Sequence, residues 1–282
     1  MGATAPTDFH MIDKLLIDHI DKYSKDTDVA VLLSGGVDSL SVAFAAKRLG
    51  KRITAYSFYL KGNMSYDAKK ATEVAVRENW KLKLIPIPLD TLEKDFITLA
   101  KDIECQKKTH FECCFPFLHI YPKIEEEEVL SGWAADGYYG ISKKAILHYT
   151  KGKSKEKFDE FRKNYFDVNN RAGYNWHHII AIQHNKNFIT PYLDEKVTKF
   201  FWEKDWYELN QPFQKHHVVT AFEEFKKYKF KKHINLQLGS GIDKHFETLI
   251  HNKRINLKNR LRVMDICRDW AKACQSVATL PV

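Results

Sequence analysis

Leu32-Leu33-Ser34-Gly35-Gly36-Val37-Asp38-Ser39 is the stretch that decides the fold. The run Val29-Ala30-Val31-Leu32-Leu33 leading into it is continuously apolar, as a strand buried on both faces of a parallel sheet must be. Leu40 to Leu49 is Ala-rich and amphipathic, reads as a helix, and stops at Gly50. The order is therefore strand, tight polar turn, helix. The turn supplies Gly35 and Gly36, whose backbone can approach a ligand closely, the hydroxyls of Ser34 and Ser39, and N–H groups left open at a helix N-terminus. Together these make a phosphate cradle. Asp38 adds a carboxylate where a metal can sit against phosphate oxygens. No Gly-Lys-Ser/Thr follows, so the loop is not of the Walker A kind.

Working outward, Thr7 or Asp8 can cap a first helix whose apolar face is Phe9, Ile12, Leu15, Leu16, Ile20 and Tyr23, with His10 and His19 incidental to it. Residues 52–60 read as a second strand, 67–79 as a helix with Ala71, Val74 and Ala75 inward, and 82–87 as a third strand. Asp90 can cap a helix reaching about Ile103. Strands alternating with helices imply βαβ units and a parallel sheet whose ligand loops share one edge. Residues 107–116 read as irregular, and the run Glu125-Glu126-Glu127-Glu128 as solvated surface feeding a short strand that ends at Val129-Leu130. Ser131-Gly132-Trp133-Ala134-Ala135-Asp136-Gly137-Tyr138-Tyr139-Gly140 follows. It puts small residues, backbone N–H groups and one carboxylate at a strand end, as the first loop does. Two such loops can face one nucleotide.

From about Lys151 the character changes. Residues 151–157 form a charge-rich link, either a lid or a boundary, and the chain beyond reads as almost wholly helical: roughly 156–166, 171–185, 193–205, 213–228, 243–251 and 255–273. The expected organisation is an α/β core over residues 1–150 and a helical region over 151–282. The formal net charge of +9 suits a polyanionic ligand such as ATP or nucleic acid. The last helix carries Lys258, Arg260, Arg262 and Arg268, a solvated face or a nucleic-acid surface. No apolar run approaches the roughly 20 residues that a membrane helix needs, and the first residues show no signal pattern, so a cytoplasmic protein without a membrane partner is expected. None of the five cysteines forms a Cys-x-x-Cys pair, which leaves no zinc framework. Cys113-Cys114 is either a redox pair of the kind sulfur transfer requires or a pair of plain thiols. Trp133, Trp176, Tyr138, Tyr139, His177 and His178 belong to the core or line a pocket.

The first loop resembles the Ser-Gly-Gly-x-Asp-Ser loop of the ATP pyrophosphatases, which adenylate a substrate and release pyrophosphate. Three later segments sharpen the resemblance to the synthetase domain of the asparagine synthetase and β-lactam synthetase group. Leu130-Ser131-Gly132-x-x-x-Asp136 with Tyr138-Tyr139-Gly140 resembles that group's second nucleotide loop, and Ile189-Thr190-Pro191-Tyr192-Leu193-Asp194 its Arg-Val-Pro-Phe-Leu-Asp. Lys215 through Ala221-Phe222 is similar to its Lys-x-x-Leu-Arg-x-Ala-Phe helix. The resemblance, over residues of about 25 to 245, implies an adenine nucleotide alpha-hydrolase-like fold and an ATP-binding core at 1–150, with 151–282 completing the acceptor site. It implies that Ser34, Gly35, Gly36 and Ser39 hold the ATP phosphates, with Asp38 beside them. Leu32 and Ser57 would lie near the adenosine, and Ser131 and Gly132 would close over it. Asp38 and Asp136 would be the catalytic Mg²⁺ ligands.

The departures are specific. Trp133 stands where the group has an acid or a tyrosine, Asn187-Phe188-Ile189 replaces Glu-x-Arg, and Gln237 to Ile242 replaces Arg-x-Lys-x-Gly-Phe. The acceptor-side lysine is thus missing there, with Lys231, Lys232 or Lys244 as possible substitutes. Gly2 follows Met1 where the group's glutaminase domain has its cysteine, so ammonia, an amine or an amino acid would serve directly, or a separate partner would supply ammonia. The expected function is an AMP-forming ligase that adenylates a carboxylate or amide oxygen and passes it to a nitrogen nucleophile, acting on small-molecule acids and amines. Two alternatives stand beside it: adenylation of a tRNA or DNA base for amine or sulfur addition, and nucleotide binding without turnover.

Overall fold

The strand β1, Asp28–Leu32, lies in the middle of a five-stranded parallel sheet of order β3-β2-β1-β4-β5. The computed structural model describes residues 11–140, 146, 149, 154–167, 174–228, 236–252 and 263–276. Thr7, Asp8, Phe9, His10, Lys231, Lys232, Lys258, Arg260 and Arg262 lie outside the described residues. From β1 the chain runs to β2 (Arg52–Leu60) and β3 (Lys81–Ile87) on one side. It then crosses to β4 (Glu128–Leu130) and β5 (Asn187–Ile189) on the other. The order reverses between β1 and β4. The loops leaving the C-terminal ends of these neighbours therefore diverge around a crevice, where open α/β sheets bind ligands.

Alternation along the strands supplies a core on each face. Val29 and Val31 of β1 and Ile53 and Ala55 of β2 pack with α1 (Met11–Tyr23), α2 (Val37–Arg48) and Ala71 and Val74 of α3 (Tyr66–Glu78). Ala30, Tyr56 and Leu60 face the other way, into a cluster with α4 (Leu92–Lys101). There Phe96 stacks on Phe111 at 3.9 Å and on Trp270 of the helix Val263–Ser276 at 3.8 Å. That helix is half core, as its sequence pattern implies: Ile266, Cys267, Ala271 and Cys274 are buried. Among the described residues no helix is long and apolar enough to cross a membrane.

Several boundaries differ from the sequence reading. Lys108–Cys114 is a helix where the pattern reads irregular, because its buried side, Phe111 and Cys114, belongs to that second cluster. The helix expected over 213–228 is broken into His216–Ala221 and a 3₁₀ segment, Glu223–Lys227. Lys215 is left-handed and Phe222 extended, so neither continues a helix. The stretch 193–205 likewise divides at Asp194, which caps Glu195–Trp202 by accepting from the Lys196 N–H at 2.8 Å. Thr91, not Asp90, is the residue before α4. β5 interrupts the helical second half with three residues, too few to show an alternation. His19, incidental by sequence, lies 2.9 Å from Asp194 and ties α1 to that cap.

The glutamate run has two fates. Glu125 is exposed and pairs with Lys83 at 2.5 Å. Glu128 is buried at the start of β4 and accepts from the Ser24 hydroxyl and from the backbone N–H groups of Lys25, at 2.7 Å, and Asp26, at 3.3 Å. It thereby fixes the turn between α1 and β1. Truncating a buried, multiply bonded carboxylate leaves three donors unsatisfied. We expect Glu128→Ala to lower unfolding free energy by about 2–3 kcal/mol. Glu125→Ala should change it by about 0–1 kcal/mol, since surface pairs contribute little. Urea titration of both variants checks the contrast.

Candidate functional site

The turn after β1 folds on itself through its serines. The Ser39 hydroxyl donates to Gly36 O at 3.2 Å and accepts from Ser34 N–H at 3.2 Å, and the two hydroxyl oxygens are 3.1 Å apart. Gly36 occupies the N-cap of α2 with no side-chain cap, so no capping side chain accepts from the first-turn N–H groups of α2. Gly35 has φ +71° and must be glycine for a second reason: a Cβ there would meet Lys70 Cγ at 2.8 Å. The turn is thus pressed against α3, with the stem of Lys70 lying over it.

The second loop is pressed against the first. A Cβ on Gly132 would lie 2.4 Å from the Asp38 carbonyl carbon and 2.7 Å from Ser39 N. Only a glycine lets Ser131-Gly132 rest on the first turn of α2. The loop is held from behind by tyrosines. Tyr138 donates to Tyr192 O at 2.6 Å, and the Tyr192 and Ser41 hydroxyls are 2.8 Å apart, which ties the Pro191-Tyr192 segment to α2. Tyr165, on the helix Lys155–Phe166, lies over Gly137, where a Cβ would fall 2.1 Å from its ring. Arg162, fully buried on that helix, donates to Phe201 O at 2.6 Å and so anchors it on the C-terminal end of Glu195–Trp202.

One ammonium joins the two loops. Lys215 Nζ donates to Asp38 Oδ2 at 2.5 Å and to Asp136 Oδ1 at 2.6 Å. The lysine side chain is 6% exposed and Asp136 39%, so the arrangement opens to solvent on the Asp136 side. Burial opposes the charge of Lys215, but Asp136 and Asp38 outweigh it and hold the ammonium protonated, with its pKa raised. Burial pushes the Asp38 pKa up; Lys215 counters and Asp136 reinforces that shift. Asp38 Oδ1 is buried without a hydrogen-bond partner. An orphaned carboxylate oxygen, with a second carboxylate one ammonium away, fits a hard divalent cation completed by phosphate oxygens.

These groups line one cleft of about 1120 Å³. Of the residues singled out from sequence, Leu32, Ser34, Gly36, Asp38, Ser39, Ser57, Ser131, Gly132 and Asp136 all line it. Gly35 stands behind them and shapes the turn. Trp133 also lines the cleft, its ring 4.3 Å from that of His177, which lies 4.0 Å from Phe117. Tyr138, Tyr139 and His177 are buried, and His178 is exposed. Cys113 lines the cleft and accepts from Gln237 Nε2 at 3.1 Å; burial pushes its thiol pKa up, and that of buried Cys114 too. Neither is an activated thiolate. Two charged cleft residues, Lys70 and Asp67, escape sequence reasoning, and Lys215 is named there only as the start of a family-like helix, with no role in the site. Lys70 is half-buried, and its pKa is lowered, chiefly by burial. Burial raises Asp67 to about 6. The sequence signal for Lys215 is the likeness of Lys215 through Phe222 to the lysine-headed helix of the asparagine synthetase group.

Because Gly132 lies against backbone, which cannot step aside as a side-chain end can, Gly132→Ala should destabilise the chain by about 1–3 kcal/mol. An unchanged urea midpoint would show that the two loops do not touch.

Residues 11–140 match the family model described as asparagine synthase. No curated protein matches the chain in sequence. Among solved structures, the chain is similar to the predicted subunit of a tRNA methyltransferase from Methanocaldococcus jannaschii. That likeness has 16% sequence identity and a TM-score of 0.36, over 73% of this chain and 93% of the other. The matched segment, somewhat under half of the chain, holds β1 to β4 and both loops of the cleft.

Proposed function

We propose that this chain is an ATP-dependent, AMP-forming ligase. The observation that carries the reading is the meeting of the Ser34–Ser39 turn with the Ser131–Asp136 loop, where Asp38 and Asp136 share the Lys215 ammonium at 2.5 and 2.6 Å. A carboxylate or amide oxygen of the acceptor attacks the α-phosphorus of ATP. The bond from the α-phosphorus to the bridging oxygen breaks, pyrophosphate leaves, and a nitrogen nucleophile then displaces AMP. Residues 1–150 form the ATP-binding core in this reading. Residues 151–282 complete the acceptor site, which is supported by Tyr165, Lys215 and Gln237 reaching the cleft from that half.

The turn binds the phosphates through backbone N–H groups and the Ser34 and Ser39 hydroxyls. Leu32 and Ser57 border the adenosine. Asp38 and Asp136 would hold Mg²⁺. When bound, the metal neutralises the phosphate oxygens and makes pyrophosphate a good leaving group. Burial, with the charge of Lys215 adding to it, lowers the Lys70 pKa, and both lysines line the same cleft. That is a preorganised place for the negative charge of a leaving pyrophosphate. Lys70 thereby supplies a cation by a route the acceptor motif does not.

A second reading changes only the acceptor. The Trp133 indole replaces an acid in the cleft and is backed by His177 and Phe117. Such a wall suits stacking of a planar base. It would be supported by salt-dependent binding of tRNA or single-stranded DNA, and abandoned if none is seen at low salt.

Pyrophosphate release is the deciding assay, run with ATP, Mg²⁺ and panels of acids, amines and RNA. Asp38→Asn and Asp136→Asn should each lower release by about 100-fold or more. A protein that binds ATP in calorimetry and forms no AMP with any panel is a nucleotide-binding protein instead. Lys70→Met should weaken ATP and inorganic pyrophosphate by about tenfold and leave AMP affinity unchanged, since one charge-assisted contact contributes about 1.5–3 kcal/mol. Equal weakening of AMP would place Lys70 at the α-phosphate.

A further inference from the structure

The position of Lys215 says more than that a cation is nearby. Its Nζ lies within 2.6 Å of an oxygen of each carboxylate, so it fills the space that an ion bridging Asp38 and Asp136 must enter. The side chain is 6% exposed and leaves from a left-handed backbone, φ +65°, at the head of the helix His216–Ala221. An ammonium so enclosed cannot simply swing into water. Displacing it without giving it another anion leaves a buried charge unpaired, which is strongly unfavourable. Lys70 adds to this. It lines the same cleft as Lys215, so a lone dication would join two cationic side chains already there.

A polyphosphate changes the balance. It brings oxygens that can accept from the displaced ammonium, and others that complete the shell of the metal. We infer that Lys215 is the specificity-determining residue of the metal site: it occupies the cation position in the empty cleft and admits a divalent metal only together with a polyphosphate. The inference rests on the ATP reading above and adds a coupling to it. Metal and polyphosphate each raise the affinity of the other, because each removes the obstacle the other meets.

The test needs no acceptor substrate and no turnover. Mn²⁺ bound to the protein is followed by electron paramagnetic resonance, alone and with inorganic pyrophosphate, for the full chain and for Lys215→Met. The unmutated protein should take up Mn²⁺ at least about tenfold more tightly with pyrophosphate than without, beyond what Mn²⁺–pyrophosphate association in solution explains. Lys215→Met should bind Mn²⁺ alone at least about tenfold more tightly than the unmutated protein and lose most of the pyrophosphate dependence. Lys215→Arg, which keeps the charge, should not bind Mn²⁺ alone more tightly. Should Lys215→Met fail to fold, the unmutated protein decides by itself. Equal Mn²⁺ affinity with and without pyrophosphate overturns the inference while leaving ATP binding intact. Failure to bind Mn²⁺–pyrophosphate and Mn²⁺–ATP alike overturns the ATP reading and this inference with it.

Discussion

The contact of one buried ammonium with two carboxylates organises this molecule. Lys215 reaches Asp38 across 177 residues and Asp136 across 79, so it joins the start of α2, the second loop and the His216–Ala221 helix at one point. Without it, two carboxylates brought together by the Gly132 contact would repel each other in a partly enclosed space. Breaking a buried ion pair typically destabilises by about 3–5 kcal/mol, and less where a partner keeps water as Asp136 does. Two of the positive-φ residues that are not glycine lie in the same place, the others being Asn79, Glu104 and Asn185. Ala134 and Lys215 both hold left-handed φ values without being glycine, at +74° and +65°. Such conformations persist where surrounding structure over-determines them. Here the surroundings are the tyrosines behind the second loop and the ion triad in front of it.

The layers explain why the triad can form at all. The strand order reverses between β1 and β4, so the two loops leave adjacent strands and diverge. Two glycines then draw them together: Gly35 lets the first turn settle on α3, and Gly132 lets the second rest on α2. Each glycine is required by a neighbour's backbone or stem and not by general flexibility. The bonds between the Ser41 and Tyr192 hydroxyls and from Tyr138 to Tyr192 O lock the rear of this assembly. In consequence the Pro191-Tyr192-Leu193-Asp194 segment acts as scaffold: Tyr192 is buried and Asp194 caps a helix.

How far the sequence was legible follows from the range of each interaction. The β1–turn–α2 unit is local, and apolar continuity, glycines and a following amphipathic run specify it within some twenty residues. The Ser131–Asp136 loop was legible through its likeness to a known segment and its place at a strand end. Lys215 was legible only as the head of a family-like helix, and its role was not, because a lysine in an αL turn ahead of a six-residue helix carries no local mark of the two carboxylates it meets. Lys70 looks like any solvated lysine of an amphipathic helix, and only the turn lying against its stem gives it a site. Glu128 was hidden inside a run of like residues, and its burial depends on donors more than a hundred positions earlier. β5 is too short to show a period, and the Lys108–Cys114 helix too short to show a face.

Charge is unevenly distributed over the walls of the cleft. Among the described residues that line it, the charged ones are Asp38, Asp67, Lys70, Asp136 and Lys215, all gathered at or beside the Ser34–Ser39 turn. The wall away from the turn is made by Trp133, Phe117, Cys113 and Gln237, whose described side chains are uncharged. Where the resemblance leads one to expect an acid or a tyrosine, a Glu-x-Arg and a lysine, this chain has Trp133, a β5 residue, Phe188, packed against His177, and Gln237 bonded to Cys113. In the proposed reading, long-range Coulomb forces act at the end that would hold the polyanion, where they are strongest per contact. On the same reading, the other end would work by shape, stacking and neutral hydrogen bonds, interactions that discriminate among planar acceptors without competing for the cations a polyphosphate needs.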